Sequence, residues 1–224
     1  MENKLIDLIK DGDEKGAIEL LKKNRNLNIN YEVDNTPIVF NVISKHMVEL
    51  FKEVINYPNF KEEDHAFLCV SMLQYLMYSY YGEINTPDED RVKKGVNPEL
   101  TMVMIDTILA KDDYDFNFKD INNDTALNTA CTMSELLWVV EALLAKENIE
   151  INVIDDIEFT ALTSAIHSNN IEAIKALSKR SDLVVRDIDV EYSQRHSIKL
   201  EDYGLNVNSA ANVKEVVEET IVEE

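Results

Sequence analysis

Residues 125–130 read TALNTA, and residues 160–165, 35 positions further along the chain, read TALTSA. A motif that returns at a spacing of roughly 20 to 50 residues is typical of repeat proteins. The match continues upstream, where an apolar residue, an asparagine and an aspartate recur at equal offsets: Phe116, Asn117 and Asp120 in one copy, Ile151, Asn152 and Asp155 in the other. The two segments are therefore copies of one structural unit.

Apolar residues downstream of each motif recur at helical spacing and indicate two helices separated by a short turn. They are Leu127, Ala130, Leu136, Val139 and Leu143 in the first copy, and Leu162, Ala165, Ile171, Ile174 and Leu177 in the second. A third copy begins at Thr36 and Pro37. A threonine can cap the start of a helix, and a proline in the first helical position loses no hydrogen bond. Thr36 and Pro37 are therefore predicted to begin a helix.

These residues resemble the ankyrin repeat, whose pattern runs through an apolar–Asn pair, an Asp, a Gly turn, TPLHxA and a second helix. The resemblance implies an all-α, ankyrin-like solenoid of stacked helix-turn-helix repeats with short hairpin loops. The chain departs from the pattern in lacking the TPLH histidine and in replacing the hairpin glycine by Asp34, Asn123 and Glu158. Asn tolerates the left-handed backbone that Gly supplies, but Glu does not do so readily. We therefore expect the hairpin at Glu158 to differ in shape.

A single domain over residues 1–224 is predicted, with the following parts: an N-terminal cap (1–25), a repeat (26–56), a degenerate repeat (57–112), two further repeats (113–148 and 149–182), and a C-terminal capping repeat with an acidic tail (183–224). The degenerate repeat is longer than the others. Its first helix is predicted over about 65–81 and its second over about 98–110. The Gly, Pro and charged residues of about 82–97, GEINTPDEDRVKKGVN, indicate an inserted, exposed loop.

The charge of the chain restricts its partners. It carries 43 Asp and Glu against 22 Lys and Arg, a formal charge of −21, which repels nucleic acid phosphates and anionic membranes. A basic or neutral protein is the easier partner, and the free chain is expected to be monomeric. Apolar stretches such as residues 136–145 are too short to cross a bilayer. A cytoplasmic location is expected, and secretion into a host is left open.

Catalytic and metal-binding signatures are missing from the sequence. The four histidines show no metal-ligand spacing, and no Gly-rich phosphate loop or GxSxG motif occurs. Cys69 and Cys131 stand in apolar surroundings without a CxxC spacing, which predicts buried, reduced thiols. We predict a protein without enzymatic activity, cofactor or metal, although a site assembled from distant residues is left open.

The resemblance implies that a partner docks on the hairpin tips and on the ends of the first helices. The repeat frame assigns these candidate residues: Asp34, Asn35, Asn123, Asp124, Glu158 and Phe159 at the tips, Glu62, Glu63 and Asp64 at the tip of the degenerate copy, and His46 and Glu135 at the helix ends. The alternative is that the aspartates serve only the turn chemistry of the hairpins. That alternative is favoured for Asp120 and Asp155.

Tyrosines crowd the first helix of the degenerate copy, at Tyr75, Tyr78, Tyr80 and Tyr81. They cannot all share one buried helix face, so at least one is expected to reach solvent or the inserted loop. Tyrosine is efficient in interfaces, which makes Tyr78, Tyr80 and Tyr81 further candidates for partner binding. Packing of the loop against the helix is an equal alternative. The lone tryptophan, Trp138, is predicted to lie in the core.

Three functions remain open. The first is a protein-protein interaction module, an adaptor or scaffold that binds its partner on the concave face and hairpin tips. The second is an acidic, immunity-type protein that neutralises a basic toxin or nucleic-acid enzyme, which the charge favours. The third is an enzyme with an unrecognised site. Salt separates the first two, because a neutraliser loses affinity steeply with ionic strength.

Overall fold

The computed structural model describes residues 2–33, 36–61 and 70–207, without the side chains of Glu2 and Val92. Its regular structure is helical apart from one two-stranded antiparallel ribbon, which confirms the predicted all-α class. The chain groups into two compact units, Met1–Tyr114 and Asp115–Glu224. They are called unit 1 and unit 2 below and are described separately.

Unit 1 consists of seven helices and the ribbon in its described residues: α1 (Glu2–Asp11), α2 (Glu14–Lys23), β1 (Glu32–Val33), β2 (Thr36–Pro37), α3 (Ile38–Ser44), α4 (Val48–Ile55), α5 (Met72–Ile84), α6 (Asp88–Lys94) and α7 (Pro98–Leu109). Thr36 does not cap α3, because Thr36 and Pro37 pair with Val33 and Glu32 in the ribbon. The backbone amide of Ile38 then donates to the carbonyl of Tyr31. The third copy thus begins its helix one residue later than the motif suggests.

The long helix of unit 1 begins later than predicted. α5 starts at Met72 because Ser71 and Gln74 form a capping box, in which each side chain bonds the backbone amide of the other. It ends at Ile84, past the predicted end at 81, and residues 62–69 lie outside the described part. With 13 residues it is longer than the seven-residue α3. The predicted second helix agrees with α7.

Within the predicted loop 82–97, the structure has a helix. α6 carries Asp88, Glu89 and Asp90 in its first turn and Arg91, Lys93 and Lys94 in its last, an order that complements the helix dipole. The guanidinium of Arg91 donates to the carbonyls of Thr86 (3.0 Å) and Ile84 (2.8 Å) and so ties α6 to the end of α5. The prediction of an exposed loop was wrong, because these charged residues form a helix and stabilise its two ends.

Unit 2 contains the two clear copies. Its helices are α8 (Ala126–Cys131), α9 (Leu137–Leu144), α10 (Ala161–His167), α11 (Ile171–Leu177) and α12 (Asp187–Arg195), with short 3-10 turns at Ser134–Leu136 and Leu200–Tyr203. Thr125 and Thr160 cap α8 and α10 through their hydroxyl oxygens, which accept from the backbone amides of Asn128 and Thr163. The predicted helix, turn, helix order is confirmed in both copies.

Hairpins precede both capped helices, and their backbones match. Asn123 and Glu158 both have positive φ, 57° and 67°, and the two turns form equivalent hydrogen bonds: Asp120 N to Asp124 O and Asn123 N to Asp120 O in one, Asp155 N to Phe159 O and Glu158 N to Asp155 O in the other. The expectation of a different shape at Glu158 was wrong.

A side-chain hydrogen bond explains why glutamate is tolerated there. Oδ1 of Asp155 accepts from the backbone amides of Ile157 (3.0 Å) and Phe159 (2.7 Å), and Oδ1 of Asp120 does the same in its own hairpin. These bonds offset the cost of about 1–2 kcal/mol that a left-handed non-glycine residue carries. Asp120 and Asp155 therefore serve the turns, as favoured from the sequence.

Several smaller predictions can also be compared with the structure. Cys131 is a fully buried free thiol, as expected, and burial raises its pKa. Trp138 is only partly buried, so it is not the core residue that we expected. Cys69 and the acidic tail from residue 208 onward lie outside the described residues. No helix in the described ranges is long and apolar enough to cross a membrane.

Candidate functional site

The two hairpin tips of unit 2 lie side by side. The backbone amide of Asp156 donates to the carbonyl oxygen of Asn122 at 2.9 Å, and the side-chain amide of Asn123 donates to Oδ1 of Asp156 at 2.6 Å. Exposed side chains of both hairpins therefore form one continuous surface. We call it the tip surface and define it by Ile121, Asn123, Asp156, Ile157 and Glu158.

Isoleucines dominate the tip surface. Ile121 and Ile157 are each 67% exposed, the largest fraction among the bulky apolar side chains of the described residues. Full burial of such a side chain contributes about 1.5–3 kcal/mol, so the pair offers substantial energy to a partner. The repeat pattern predicts the tips but not these two residues, because the candidates chosen there were charged residues and turn formers. The available signal was an apolar residue inside each polar turn.

Of the tip residues assigned from the sequence, Asn123 and Glu158 are exposed. The carboxylate of Glu158 forms no ion pair or hydrogen bond with any described residue, while its backbone carbonyl accepts from Arg186 at 2.5 Å. The main chain of Glu158 is therefore fixed by hydrogen bonds, whereas its exposed carboxylate has no partner within the described ranges. Glu135, in the 3-10 turn between α8 and α9, is exposed as well.

Asp124 is not part of the tip surface. Its Oδ2 accepts from the hydroxyl of Thr129 at 2.8 Å, and its Oδ1 is buried with no hydrogen-bond partner among the residues that the structure describes. Burial raises the pKa of Asp124 to about 6, and the neighbouring carboxylates of Asp120 and Asp155 add to the rise. This carboxyl group belongs to the packing of the hairpin, contrary to the sequence-based assignment.

Phe159 is also turned inward. The residue is only 9% exposed, and its ring contacts those of His167 and Tyr192 edge to face, with its centroid 5.4 and 5.1 Å from theirs. The sequence-based assignment of Phe159 to a partner-binding tip requires an exposed ring. In the structure the residue is buried. The reason is that α10 and α12 both bring an aromatic ring against it.

A cluster of rings surrounds Phe159. The ring of His167 lies 5.5 Å from that of Tyr192 and 5.8 Å from that of His196, and the guanidinium of Arg195 lies 5.1 Å from the Tyr192 centroid. We call Phe159, His167, Tyr192, Arg195 and His196 the aromatic cluster. The sequence analysis missed it because its members come from a hairpin and two helices that only the fold brings together.

His46 of unit 1 serves the fold. Its Nε2 lies 3.0 Å from Oε1 of Glu83, whose Oε2 accepts from the hydroxyl of Thr101 at 2.7 Å. The side chains of His46 and Glu83 are only 12% and 10% exposed. This triad ties the turn after α3 to the end of α5 and to α7, so His46 is not the exposed helix-end residue that was assigned to a partner.

The tyrosines of α5 divide as expected. Tyr78 and Tyr81 are 46% and 40% exposed and lie three residues apart, on one helix face. Tyr80 is partly buried, and Tyr75 packs edge-on against Phe40 at 4.8 Å. The prediction that at least one tyrosine reaches solvent is confirmed. Tyr78 and Tyr81 are called the tyrosine pair.

The remaining candidates, Asp34, Asn35, Glu62, Glu63 and Asp64, lie outside the described residues. Within the part of the chain that the structure describes, no three or more His, Cys, Asp or Glu side chains are grouped so as to hold a metal ion.

Repeated helix, turn, helix units that follow short hairpins define the class of helical repeat proteins. The model of one family, ankyrin repeats (3 copies), matches residues 96–187. This stretch consists of ankyrin repeats, and the resemblance seen at Thr125 and Thr160 is confirmed. The copy at Thr36 precedes the match. No curated protein and no solved structure matches the chain.

Proposed function

We propose that this chain is a protein-protein interaction module, an adaptor or scaffold that holds its partner on the tip surface and along the first helices. Ankyrin repeats generally mediate binding between proteins and are typically not enzymes. The observation that carries the proposal is the pair of exposed isoleucines, Ile121 and Ile157, on two hydrogen-bonded tips. An apolar pair held in place by main-chain bonds needs little reorganisation on binding.

The chemistry of the tip surface suggests the kind of partner. Ile121 and Ile157 supply the apolar centre, and Asp156 and Glu158 place two exposed carboxylates beside it. Lysine or arginine on the partner would pair with these carboxylates, mainly speeding encounter and excluding acidic competitors. We therefore expect a neutral or basic segment that also carries apolar side chains.

In unit 1, the tyrosine pair is proposed as a separate contact. Tyr78 and Tyr81 stand on one face of α5, and tyrosine contributes large contact area at low cost in conformational entropy.

A second candidate function follows from the net charge of −21. An acidic protein that neutralises a cationic toxin or nucleic-acid enzyme would use Asp156 and Glu158 as its main contacts, and the isoleucines would matter less. The balance between apolar and ionic energy at the tip surface separates this function from that of an adaptor.

Affinity capture from the source cell tests the proposal. The intact chain, the double variant Ile121→Ser/Ile157→Ser and the control Ile154→Ser are used as baits, and captured proteins are compared by quantitative mass spectrometry. Ile154 is a matched control because it is 50% exposed in the same unit but outside the tip surface. A partner retained by wild type and control and lost by the double variant supports the proposal. Equal capture by all three baits contradicts it.

A further inference from the structure

The repeats of unit 2 follow one another in a constant register. Asn117 and Asn152 each hold the next repeat by two side-chain bonds, one donated to a carbonyl oxygen and one accepted from the amide two residues further on. These bonds run to Asn148 (2.7 Å) and Glu150 (2.9 Å) in one case and to Asp182 (2.7 Å) and Val184 (3.0 Å) in the other. The C-terminal repeat therefore begins in the same position, relative to its predecessor, as the repeat before it.

The connection to α12 carries no hairpin. The 16 residues 145–160 join α9 to α10 and include the hairpin at 155–159, whereas only nine, 178–186, join α11 to α12. After Val184, which Asn152 holds, only Val185 and Arg186 precede α12. The hairpin at 155–159 is therefore the last in the described part of unit 2. We call the side of it that faces away from the hairpin at 120–124 the outer edge.

Two hydrogen-bond acceptors lie at the outer edge. Ile157 occupies the position that Asn122 occupies 35 residues earlier, and the carbonyl oxygen of Asn122 accepts from the amide of Asp156. Because the two hairpin backbones match, the carbonyl of Ile157 points in the equivalent direction, and no amide in the described ranges donates to it. Glu158 corresponds to Asn123, whose side-chain amide donates to Oδ1 of Asp156. The outer edge thus repeats the inner junction without its second hairpin.

We propose that the outer edge binds a loop of the partner protein in the place of a further hairpin. A lysine or arginine of that loop donates its main-chain amide to the carbonyl oxygen of Ile157, and its side chain pairs with the carboxylate of Glu158. The proposal deepens the proposed function and rests on it, since it requires a protein partner at the tip surface.

The existing junction indicates the chemistry of the occupant. Asp156 donates its amide to Asn122 and accepts from the side chain of Asn123, so a single residue makes both contacts. At the outer edge the side chain to be matched is that of Glu158, an acceptor, so the incoming residue needs a side-chain donor. The exposed carboxylates of Asp156 and Glu158 and the charge of −21 favour a cationic donor over a neutral one.

Fixed geometry favours binding at this edge. The amide of Ile157 is held by Oδ1 of Asp155, and the main chain of Asp156 is bonded to Asn122 on the inner side. The carbonyl of Ile157 is thus in place before a partner arrives, which lowers the cost of ordering. Addition of a segment to an exposed backbone edge is a common mode of peptide recognition. The 67% exposed side chain of Ile157 supplies apolar contact area beside the bond.

Selection from a phage-displayed library of short, disulfide-closed loops tests the ionic contact. The intact chain is the bait, and enriched loops are measured by calorimetry against wild type, Glu158→Lys and the control Glu147→Lys. Both variants change the net charge equally at exposed positions of unit 2, so they differ in location alone. We expect loops with a common Lys or Arg that bind Glu158→Lys at least about tenfold more weakly and Glu147→Lys within about twofold. Circular dichroism checks that both variants are folded.

Replacement of one amide in an enriched loop tests the main-chain contact. An ester in place of the peptide bond that supplies the N–H of the common lysine or arginine removes the donor and keeps the side chain. It should weaken binding about fivefold, whereas an ester on the far side of the loop should not. In the intact, isotope-labelled chain, the carbonyl-carbon signal of Ile157 should shift with the amide loop and not with the ester loop. The carbonyl of Asn122, already bonded to Asp156, is the internal control.

Three results would overturn the proposal. They are the failure of loops with Lys or Arg to be enriched, equal losses of affinity in Glu158→Lys and Glu147→Lys, and unchanged affinity of the ester loop. Association of two copies of the chain that Glu158→Lys abolishes, measured by light scattering, would also overturn it, because the edge would then bind a second copy.

The outcomes separate this inference from the proposed function. Loops that lose affinity for Ile121→Ser/Ile157→Ser, but respond neither to Glu158→Lys nor to the ester, would overturn the outer edge and leave the tip surface supported. Loops that respond to both, together with equal capture of cellular partners by wild type and the isoleucine variant, would support the outer edge and contradict the role proposed for the isoleucines.

Discussion

The backbone amide of Asp156 donates a 2.9 Å hydrogen bond to the carbonyl oxygen of Asn122, and this bond joins two neighbouring hairpins of unit 2. Because it uses main-chain atoms, it does not depend on which side chains the tips carry. The tips can therefore present unusual residues, such as exposed isoleucines and a left-handed glutamate, without losing their alignment.

Glu158 should tolerate replacement by glycine. Its backbone has a φ of 67°, which is strained for any residue except glycine, and its carboxylate is unpaired within the described residues. The change Glu158→Gly therefore relieves the strain without breaking a side-chain bond. We expect unit 2 to gain about 1 kcal/mol in urea unfolding. Asn123→Gly, at the equivalent position, is the comparison and should gain less, since asparagine adopts this conformation more readily. A stability loss in the Glu158 variant would mean that its side chain has an unseen structural role.

Asp124 should make the stability of unit 2 depend on pH. Its pKa is raised from the ordinary value of 3.8 to about 6, so the folded state binds a proton more tightly than the unfolded state does. Its contribution to stability is therefore greatest below about pH 4 and is lost as the pH rises to about 6.

Asp124→Asn should remove this dependence and raise the free energy of unfolding at pH 7 by about 1–2 kcal/mol, allowing for partial exposure. Urea denaturation of wild type and variant between pH 4 and 7.5 provides the measurement. Asp156→Asn, an exposed change in the next hairpin, is the control. Parallel pH profiles for wild type and the Asp124 variant would show that burial does not perturb this group.

Asp189 should be essential for the start of α12. It is fully buried and accepts hydrogen bonds from the hydroxyl of Thr163 (2.5 Å) and the backbone amide of Arg186 (2.7 Å). Asp189→Ala removes the acceptor of both donors and leaves the partly buried amide of Arg186 without its side-chain bond, and we expect a loss of about 3 kcal/mol. Thermal unfolding followed by circular dichroism measures it. Asp187→Ala, exposed in the same helical turn, should cost less than about 1 kcal/mol. Similar losses in the two variants would rule out a buried network.

Salt should distinguish an adaptor from a neutraliser. If Ile121 and Ile157 dominate binding, the affinity for the captured partner should change only about threefold between 50 and 500 mM salt, because apolar burial is not screened. Calorimetric titration at several salt concentrations measures this. A decrease of a hundredfold or more would favour the neutralising function and the carboxylates of Asp156 and Glu158.

Much of the fold could be predicted from the sequence, because the repeat places equivalent residues at equal offsets. The Thr125 and Thr160 helices, the helix over Pro98–Leu109 and the turn roles of Asp120 and Asp155 all follow from local chemistry. α6 was missed because a run of charges and a proline is compatible with both a loop and a helix start. The left-handed conformation of Glu158 depends on two side-chain hydrogen bonds that the residue type alone does not indicate.

The candidate site was less predictable, because the position of a residue within the repeat does not determine the direction of its side chain. Asp124 and Phe159 occupy the assigned tip positions and yet face inward, because Thr129 and the rings of α10 and α12 contact them. His46, in the turn after α3, also faces inward, because its imidazole pairs with the carboxylate of Glu83 in α5. Ile121 and Ile157 could have been found from the sequence as apolar residues in polar turns, whereas the aromatic cluster requires the fold.

Calorimetric titration shows directly whether the tip surface is the binding site. The captured partner is titrated with wild type, with Ile121→Ala/Ile157→Ala and with the control Ile154→Ala. The free energies of unfolding of all three proteins, measured in urea, should agree within about 0.5 kcal/mol, because the changed side chains are exposed. We expect the tip variant to bind at least about tenfold more weakly and Ile154→Ala to bind as wild type does. Undiminished affinity in the tip variant would contradict the assignment of the tip surface as the binding site.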